Sequence, residues 1–132
     1  MARFGVIPLY AGLLAIWFLV LSVRVMQGRA GPGKPNLGDG GDPEMMRRIR
    51  GHANFSEYVP LILVLLGILE LNGTAAWVLH ALGATLLVGR MLHGYALAFT
   101  TQNVFGRSVG TLLTVIVLLA AGVLCVLAGF GG

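Results

Sequence analysis

Charge is scarce in this chain. Only 11% of its 132 residues are Asp, Glu, Lys or Arg, whereas 57% are hydrophobic and mean hydropathy is +0.87. That composition excludes an ordinary soluble domain. Cysteine is nearly missing too: the lone Cys125 rules out an internal disulfide and no Cys/His spacing fits a metal, so no metal is expected. There is no paired-carboxylate arrangement and no phosphate-loop glycine pattern. His52, His80 and His93 share neither a face nor a depth, which excludes bis-histidine haem ligation. No internal repeat supports the inverted-repeat design of many transporters. The net charge of +4 sits at helix ends and reads as membrane topology, so no nucleic-acid partner is expected.

Long uncharged runs are what the chain does have. Phe4–Val23 has 20 residues without a charge, Leu71–Gly89 has 19 with only His80 ionisable, and Ser108–Gly132 has 25. Each is long enough for a hydrocarbon core of about 30 Å. Tyr58–Leu69 is shorter, with 12 uncharged residues between Glu57 and Glu70. It spans only if Glu57 lies within the membrane. The cations favour a span: Arg24, Arg29, Lys34, Arg47, Arg48 and Arg50 cluster before it, and Arg107 stands alone near the last connection. Four helices put all of these on the cytoplasmic side, with both termini outside. The first run is expected to stay as a helix: one arginine precedes it, it is too long for a leader, and no small-residue cleavage site is followed by a soluble domain.

The expectation is an all-α integral membrane four-helix bundle, one domain with helices near 4–26, 44–71, 74–101 and 107–129. Gln27–Pro43 holds six glycines and three prolines in 17 residues and is predicted to be a cytoplasmic loop. Asn72-Gly73 reads as a helix stop and Thr74 as the next N-cap, making helices two and three an antiparallel hairpin. Ala121, Cys125 and Gly129 recur every four residues and would allow close helix contact.

At about 100° per residue, Arg47, Arg50, Asn54 and Glu57 fall within one stripe of about 80°, with Tyr58 at its edge. Basic residues at a helix end can simply snorkel to headgroups. Asn54 and Glu57 cannot, because Glu57 lies about 10 Å deeper than Arg50 and needs a partner or a wet pocket. Arg90 and His93 share a face of the third helix, and an intramembrane arginine must be paired; Glu57 is its expected partner. Arg107 and Ser108 are expected to open the fourth helix, where free N–H groups and the positive dipole end would welcome an anion. Thr111 and Thr114 lie on the turns above. Polar groups from three helices thus point to a cytoplasm-facing pocket for a small anionic molecule. Glu70 and His80 are expected to meet water or headgroups.

These motifs carry a resemblance. "DPEMMRRIRGHANFSEYVP", with Arg47, Arg50, Asn54 and Glu57, resembles the second helix of the MAPEG superfamily, the membrane-associated proteins in eicosanoid and glutathione metabolism. "LVGRMLH", with Arg90 and His93, and "RSVGTLLT", with Arg107 and Ser108, are similar to its third and fourth helices. The resemblance covers nearly the whole chain and its three motifs come in order. It implies a homotrimer of four-helix subunits in the membrane, with glutathione as the bound thiol between subunits near the cytoplasmic face. By resemblance, Arg50, Asn54 and Glu57 would bind the peptide and its carboxylates, and Arg47 and Arg90 would frame the site. Arg107, helped by Ser108, would stabilise the glutathione thiolate for attack on a lipophilic electrophile or hydroperoxide.

The chain departs from the prostaglandin-forming branch at Leu97 and Thr111, where that branch has tyrosines. Tyr58 or Tyr95 would have to compensate, and eicosanoid activities are affected more than glutathione binding. The economy of the chain fits a bacterial inner-membrane transferase or peroxidase of detoxification. Two other classes compete: a non-catalytic trimeric protein that keeps the ligand pocket, and a small proton-coupled multidrug transporter built around Glu57. The transporter would want a carboxylate in the first helix, and Phe4–Val23 has none.

Overall fold

The computed structural model describes residues 3–131. The described residues form four helices: α1 Ile7–Arg29, α2 Pro43–Leu71, α3 Ala76–Ala98 and α4 Val104–Gly131. No strand occurs among the described residues. α3 packs on all three other helices, α2 also touches α1 and α4, and α1 and α4 do not meet. Three helices, α1, α2 and α4, are long and apolar enough to cross a bilayer. α3 is as long as α1, but His80, Arg90 and His93 interrupt its apolar run and it falls short. Only 14 residues, Ala76–Gly89, precede Arg90 in the helix. Enclosure by its neighbours is what lets α3 carry that arginine and His93.

Local chemistry explains the ends. Asp42 caps α2 by accepting the Glu44 N–H at 3.0 Å, and Pro43 sits at the first helical position where its missing N–H is harmless. The α2–α3 turn is a Schellman closure. Gly73 takes φ +88°, its N–H donates to the Glu70 carbonyl at 3.1 Å, and the Thr74 N–H donates to Leu69 at 3.0 Å. The hairpin forms as expected, but Thr74 is not the N-cap of α3; Ala75 holds that position with no side-chain bond.

Other boundaries also shift. α1 starts and ends three residues later than expected, at Ile7 and Arg29, and passes Met45 closely at Gly28, where a Cβ would lie 2.5 Å from Met45 Sδ. The glycine-rich connection therefore covers 30–42. α4 starts at Val104, one turn earlier than expected, and the Gly106 N–H donates to Asn103 Oδ1 at 2.8 Å. The Arg107 N–H is already committed to the Asn103 carbonyl at 3.1 Å. The free amides expected at Arg107 and Ser108 are therefore not there.

Leu14, Leu21, Phe55, Val59, Ile62, Leu66, Leu86 and Val117 form a dry core between the helices. Leu9, Ile16, Leu19, Leu119 and Val126 stay exposed, as side chains facing lipid tails would. α3 and α4 approach backbone to backbone. A Cβ on Gly110 would lie 2.5 Å from the Gly89 carbonyl oxygen and 2.7 Å from the His93 Cβ and amide nitrogen. The small-residue row of α4 is used only in part: Ala121 is buried and Cys125 Sγ lies 3.5 Å from the Leu65 carbonyl, but Gly129 faces open space.

Glu70 and His80 do not simply meet water or headgroups. The Glu70 carboxylate accepts the N–H groups of Gly5 at 2.8 Å, Val6, and Ile7 at 3.0 Å, so it caps the start of α1. His80 Nδ1 pairs with the Tyr10 hydroxyl at 2.8 Å. These polar groups satisfy one another across helices, which a one-dimensional pattern does not reveal.

Candidate functional site

The Gly89–Gly110 contact sets α3 against α4 just below the polar residues. Arg90, 1% exposed, lies on α3 one turn from His93. Its guanidinium donates to Asn54 Oδ1 of α2 at 2.8 Å and to Thr114 Oγ1 of α4 at 3.3 Å. The Nη2 that donates to Asn54 also lies 2.8 Å from His93 Nδ1. A guanidinium can only donate, so Nδ1 must accept and the His93 proton sits on Nε2. The Thr114 hydroxyl passes its own proton to the Gly110 carbonyl at 2.8 Å. Trp17 of α1 donates from Nε1 to the Arg90 carbonyl at 3.0 Å. Arg90 thus ties four helices together at one depth.

The expected Glu57–Arg90 ion pair does not form. Glu57 instead reaches Arg50 at 3.4 Å, and both side chains are about half exposed, at 55% and 49%. Asn54, one turn closer to α3, takes the place assigned to Glu57. The physical consequence is electrostatic. Arg90 is held by a neutral amide, hydroxyl and imidazole, so no carboxylate within the described residues cancels its charge.

Above this layer lies a cavity of about 380 Å³ between α2, α3 and α4. Arg47, Arg50, Asn54, His93 and Arg107 line it, with Met46, Leu97 and Thr111 as the less polar wall. No Asp or Glu lines it. A smaller space of about 130 Å³ adjoins it at the α3–α4 turn and shares Arg47, Leu97 and Arg107 as walls. Arg47 Nε is buried there with no partner among the described residues. Three cations around one cavity make a strongly anion-attracting space.

The remaining expected residues lie elsewhere in the single chain. Arg90 sits one layer behind the cavity wall. Tyr58 is half-buried against the apolar core. Tyr95 is on another face of α3, 53% exposed and stacked on Phe99 at 5.5 Å. Ser108 is exposed and outside the cavity. Thr111 turns its hydroxyl back to the Arg107 carbonyl at 2.9 Å, fixing the turn that carries Arg107. Met46 was not anticipated, because a methionine beside arginines at a helix end carries no chemical signal. Among the described residues no cluster of His, Cys, Asp or Glu could hold a metal.

An all-helical membrane protein with an arginine-lined cavity among three helices is the class that this fold and site define. The chain belongs to the MAPEG family, whose model matches residues 7–127. It is similar to the inner membrane protein YecN of Escherichia coli (strain K12), and to the protein of that name from Escherichia coli O6:H1 (strain CFT073). Each is 39% identical over 87 residues, which is 66% of this chain and 66% of the relative. The matched stretch therefore spans just under two thirds of those relatives' length. No solved structure matches.

Proposed function

We propose that the protein is a membrane-bound, glutathione-dependent transferase or peroxidase acting on lipophilic electrophiles or hydroperoxides. One observation carries this reading: Arg47, Arg50 and Arg107 surround one cavity of about 380 Å³ that no carboxylate lines. A tripeptide with two carboxylates and a thiol suits that charge, and the volume falls in the usual range of small-molecule sites, roughly 300–1,000 Å³. Asn54, held by Arg90, offers its amide N–H groups to the peptide. Arg107 is the cation that meets the sulfur. A free thiol titrates at about 8.5, and bringing it down by about two pH units takes roughly 2.7 kcal/mol of preference for the thiolate. One arginine in a partly dry cavity can supply that. The thiolate then attacks a carbon electrophile arriving through the lipid and expels its leaving group. With a hydroperoxide it cleaves the O–O bond to give the alcohol and a glutathione sulfenic acid, which a second glutathione converts to the disulfide and water.

The same reading includes a homotrimer with four spans per subunit, both termini outside the cytoplasm, in a bacterial inner membrane. Exposed Arg50, Glu57 and Ser108 support assembly, because charged and polar side chains at membrane depth are costly against lipid. A neighbouring copy would cover them and close the open side of the cavity. The full length of α3, 23 residues or about 35 Å, supports a fourth span despite its arginine.

The experiment is glutathione conjugation to an aryl halide by purified protein in nanodiscs, comparing wild type with Arg107→Ala. Turnover in the wild type that falls at least about a hundredfold in the variant is expected for one lost charge-stabilising group. Leu97 and Thr111 in the cavity wall, with Ser108 outside it, favour a second reading: a non-catalytic member that binds the thiol without turning it over. Saturable glutathione binding with no conjugation or peroxidase activity would establish that instead. Proton-linked efflux lost in Glu57→Gln, without glutathione binding, would point to transport.

A further inference from the structure

A second surface, on the other side of α3, has its own chemistry. Arg24 of α1 reaches across to the end of α3 and donates Nε and Nη2 to the Ala98 carbonyl, at 3.0 and 2.9 Å. Its guanidinium carbon lies 4.6 Å over the Phe99 ring. Phe99 in turn stacks on Trp17 at 6.3 Å and on Tyr95 at 5.5 Å. Aromatic rings gathered around a cation at a helix end mark a membrane–water boundary.

The pairing of Arg24 is incomplete. A guanidinium has five N–H groups. Two go to Ala98 and one, from Nη1, to Gln27 Oε1 at 2.9 Å, so two remain without a partner among the described residues. The Gln27 amide accepts with its oxygen and keeps its own N–H groups for a further acceptor. Among the described residues no carboxylate pairs with Arg24, and the nearby Glu44 is bound to Arg48. Capping α3 needs only the Ala98 contacts.

Directly beside this donor set is an apolar groove of about 380 Å³, lined by Leu19, Val20, Val23 and Phe99 with Arg24 and Gln27 at its mouth. Leu19 is 60% exposed and Phe99 41%. Further along α1, at helical spacing from Leu19 and Val20, Ile16, Leu13 and Leu9 are exposed as well. An apolar trough ending in a cation with spare donors fits an amphiphile with an anionic head.

We propose that this groove binds an anionic phospholipid: the phosphate on Arg24 and Gln27, one acyl chain along Leu19, Val20 and Val23, and the Phe99 ring as the floor at the junction. Charge complementarity selects the occupant, since a zwitterionic headgroup would bring its own ammonium against Arg24. This site shares no lining residue with the arginine cavity of α2, α3 and α4, so it stands apart from the thiol chemistry proposed there.

The experiment is native mass spectrometry of the intact protein released from nanodiscs made of equal parts phosphatidylglycerol and phosphatidylcholine. Wild type should keep phosphatidylglycerol over phosphatidylcholine by about tenfold. Gln27→Glu sets a carboxylate beside Arg24 and should abolish that preference with the unfolding temperature unchanged. Val20→Trp fills the groove and should lower retention of both lipids. Equal retention by the wild type, or undiminished preference in Gln27→Glu, would overturn the proposal. So would a Val23→Cys variant that crosslinks to a second copy in the membrane, since protein rather than lipid would then cover the groove.

Discussion

Replacing Gly110 by alanine adds one methyl group where α3 and α4 touch. That methyl would stand 2.5 Å from the Gly89 carbonyl oxygen and 2.7 Å from the His93 backbone nitrogen, against about 3.4 Å for an ordinary contact. Both neighbours are main chain and cannot rotate away, so α3 must retreat by about 0.5–1 Å. Overpacking of that kind costs about 1–3 kcal/mol. The retreat also stretches the Arg90–Thr114 hydrogen bond, already 3.3 Å, beyond reach and leaves a buried hydroxyl and guanidinium poorly paired. That adds about 1–3 kcal/mol. Alanine's better helix propensity returns about 1 kcal/mol. The net expectation is a loss of about 1–5 kcal/mol. Unfolding by sodium dodecyl sulfate in mixed micelles, followed by tryptophan fluorescence, reads it, because Trp17 is anchored on the Arg90 carbonyl. Gly12→Ala and Gly122→Ala are the controls, as nothing lies within 4 Å of a Cβ at either position. If Gly110→Ala unfolds at the same detergent fraction as those controls, the α3–α4 contact is not what positions the polar layer.

Three further outcomes are expected. Arg90→Met removes the donor shared by Asn54, His93 and Thr114 and should cost about 3 kcal/mol in the same unfolding assay. It should also weaken glutathione binding, although Arg90 lies behind the cavity wall. Glu70→Ala uncaps α1 and should cost about 1–2 kcal/mol, with faster amide exchange confined to Gly5, Val6 and Ile7. Asp42→Ala should cost about 1 kcal/mol and fray only the first turn of α2.

Part of the cavity's lining follows from the sequence. Charge spacing in "RRIRGHANFSE" puts Arg47, Arg50 and Asn54 on one face, and the cavity is lined by that face together with His93 and Arg107. Asn72-Gly73 dictates the hairpin because its positive φ and two closing bonds are local chemistry. What stayed hidden depends on how one helix is rotated against another. A helical wheel assigns Glu57 and Asn54 to the same stripe, and only the packing of α2 on α3 decides that Asn54 meets Arg90. The Glu70 cap links residues 63 to 65 positions apart, beyond any local pattern. Gly89 and Gly110 are two of 20 glycines, and nothing in the chain marks them as the pair that touches. α4 starts a turn before Arg107 because Asn103, four residues earlier, caps it, and a charge pattern that points to Arg107 as the interfacial end does not reveal that cap.

The central claim is that the arginine cavity holds a small thiol peptide by its negative charges. Isothermal titration of the nanodisc-bound protein with glutathione, and in parallel with its diester in which both carboxylates are masked, measures this most directly. Saturable binding of glutathione is expected, with the diester at least about tenfold weaker and Arg50→Ala reducing glutathione to the diester's level. Equal binding of the two ligands, or glutathione binding untouched by loss of Arg50, would contradict the account.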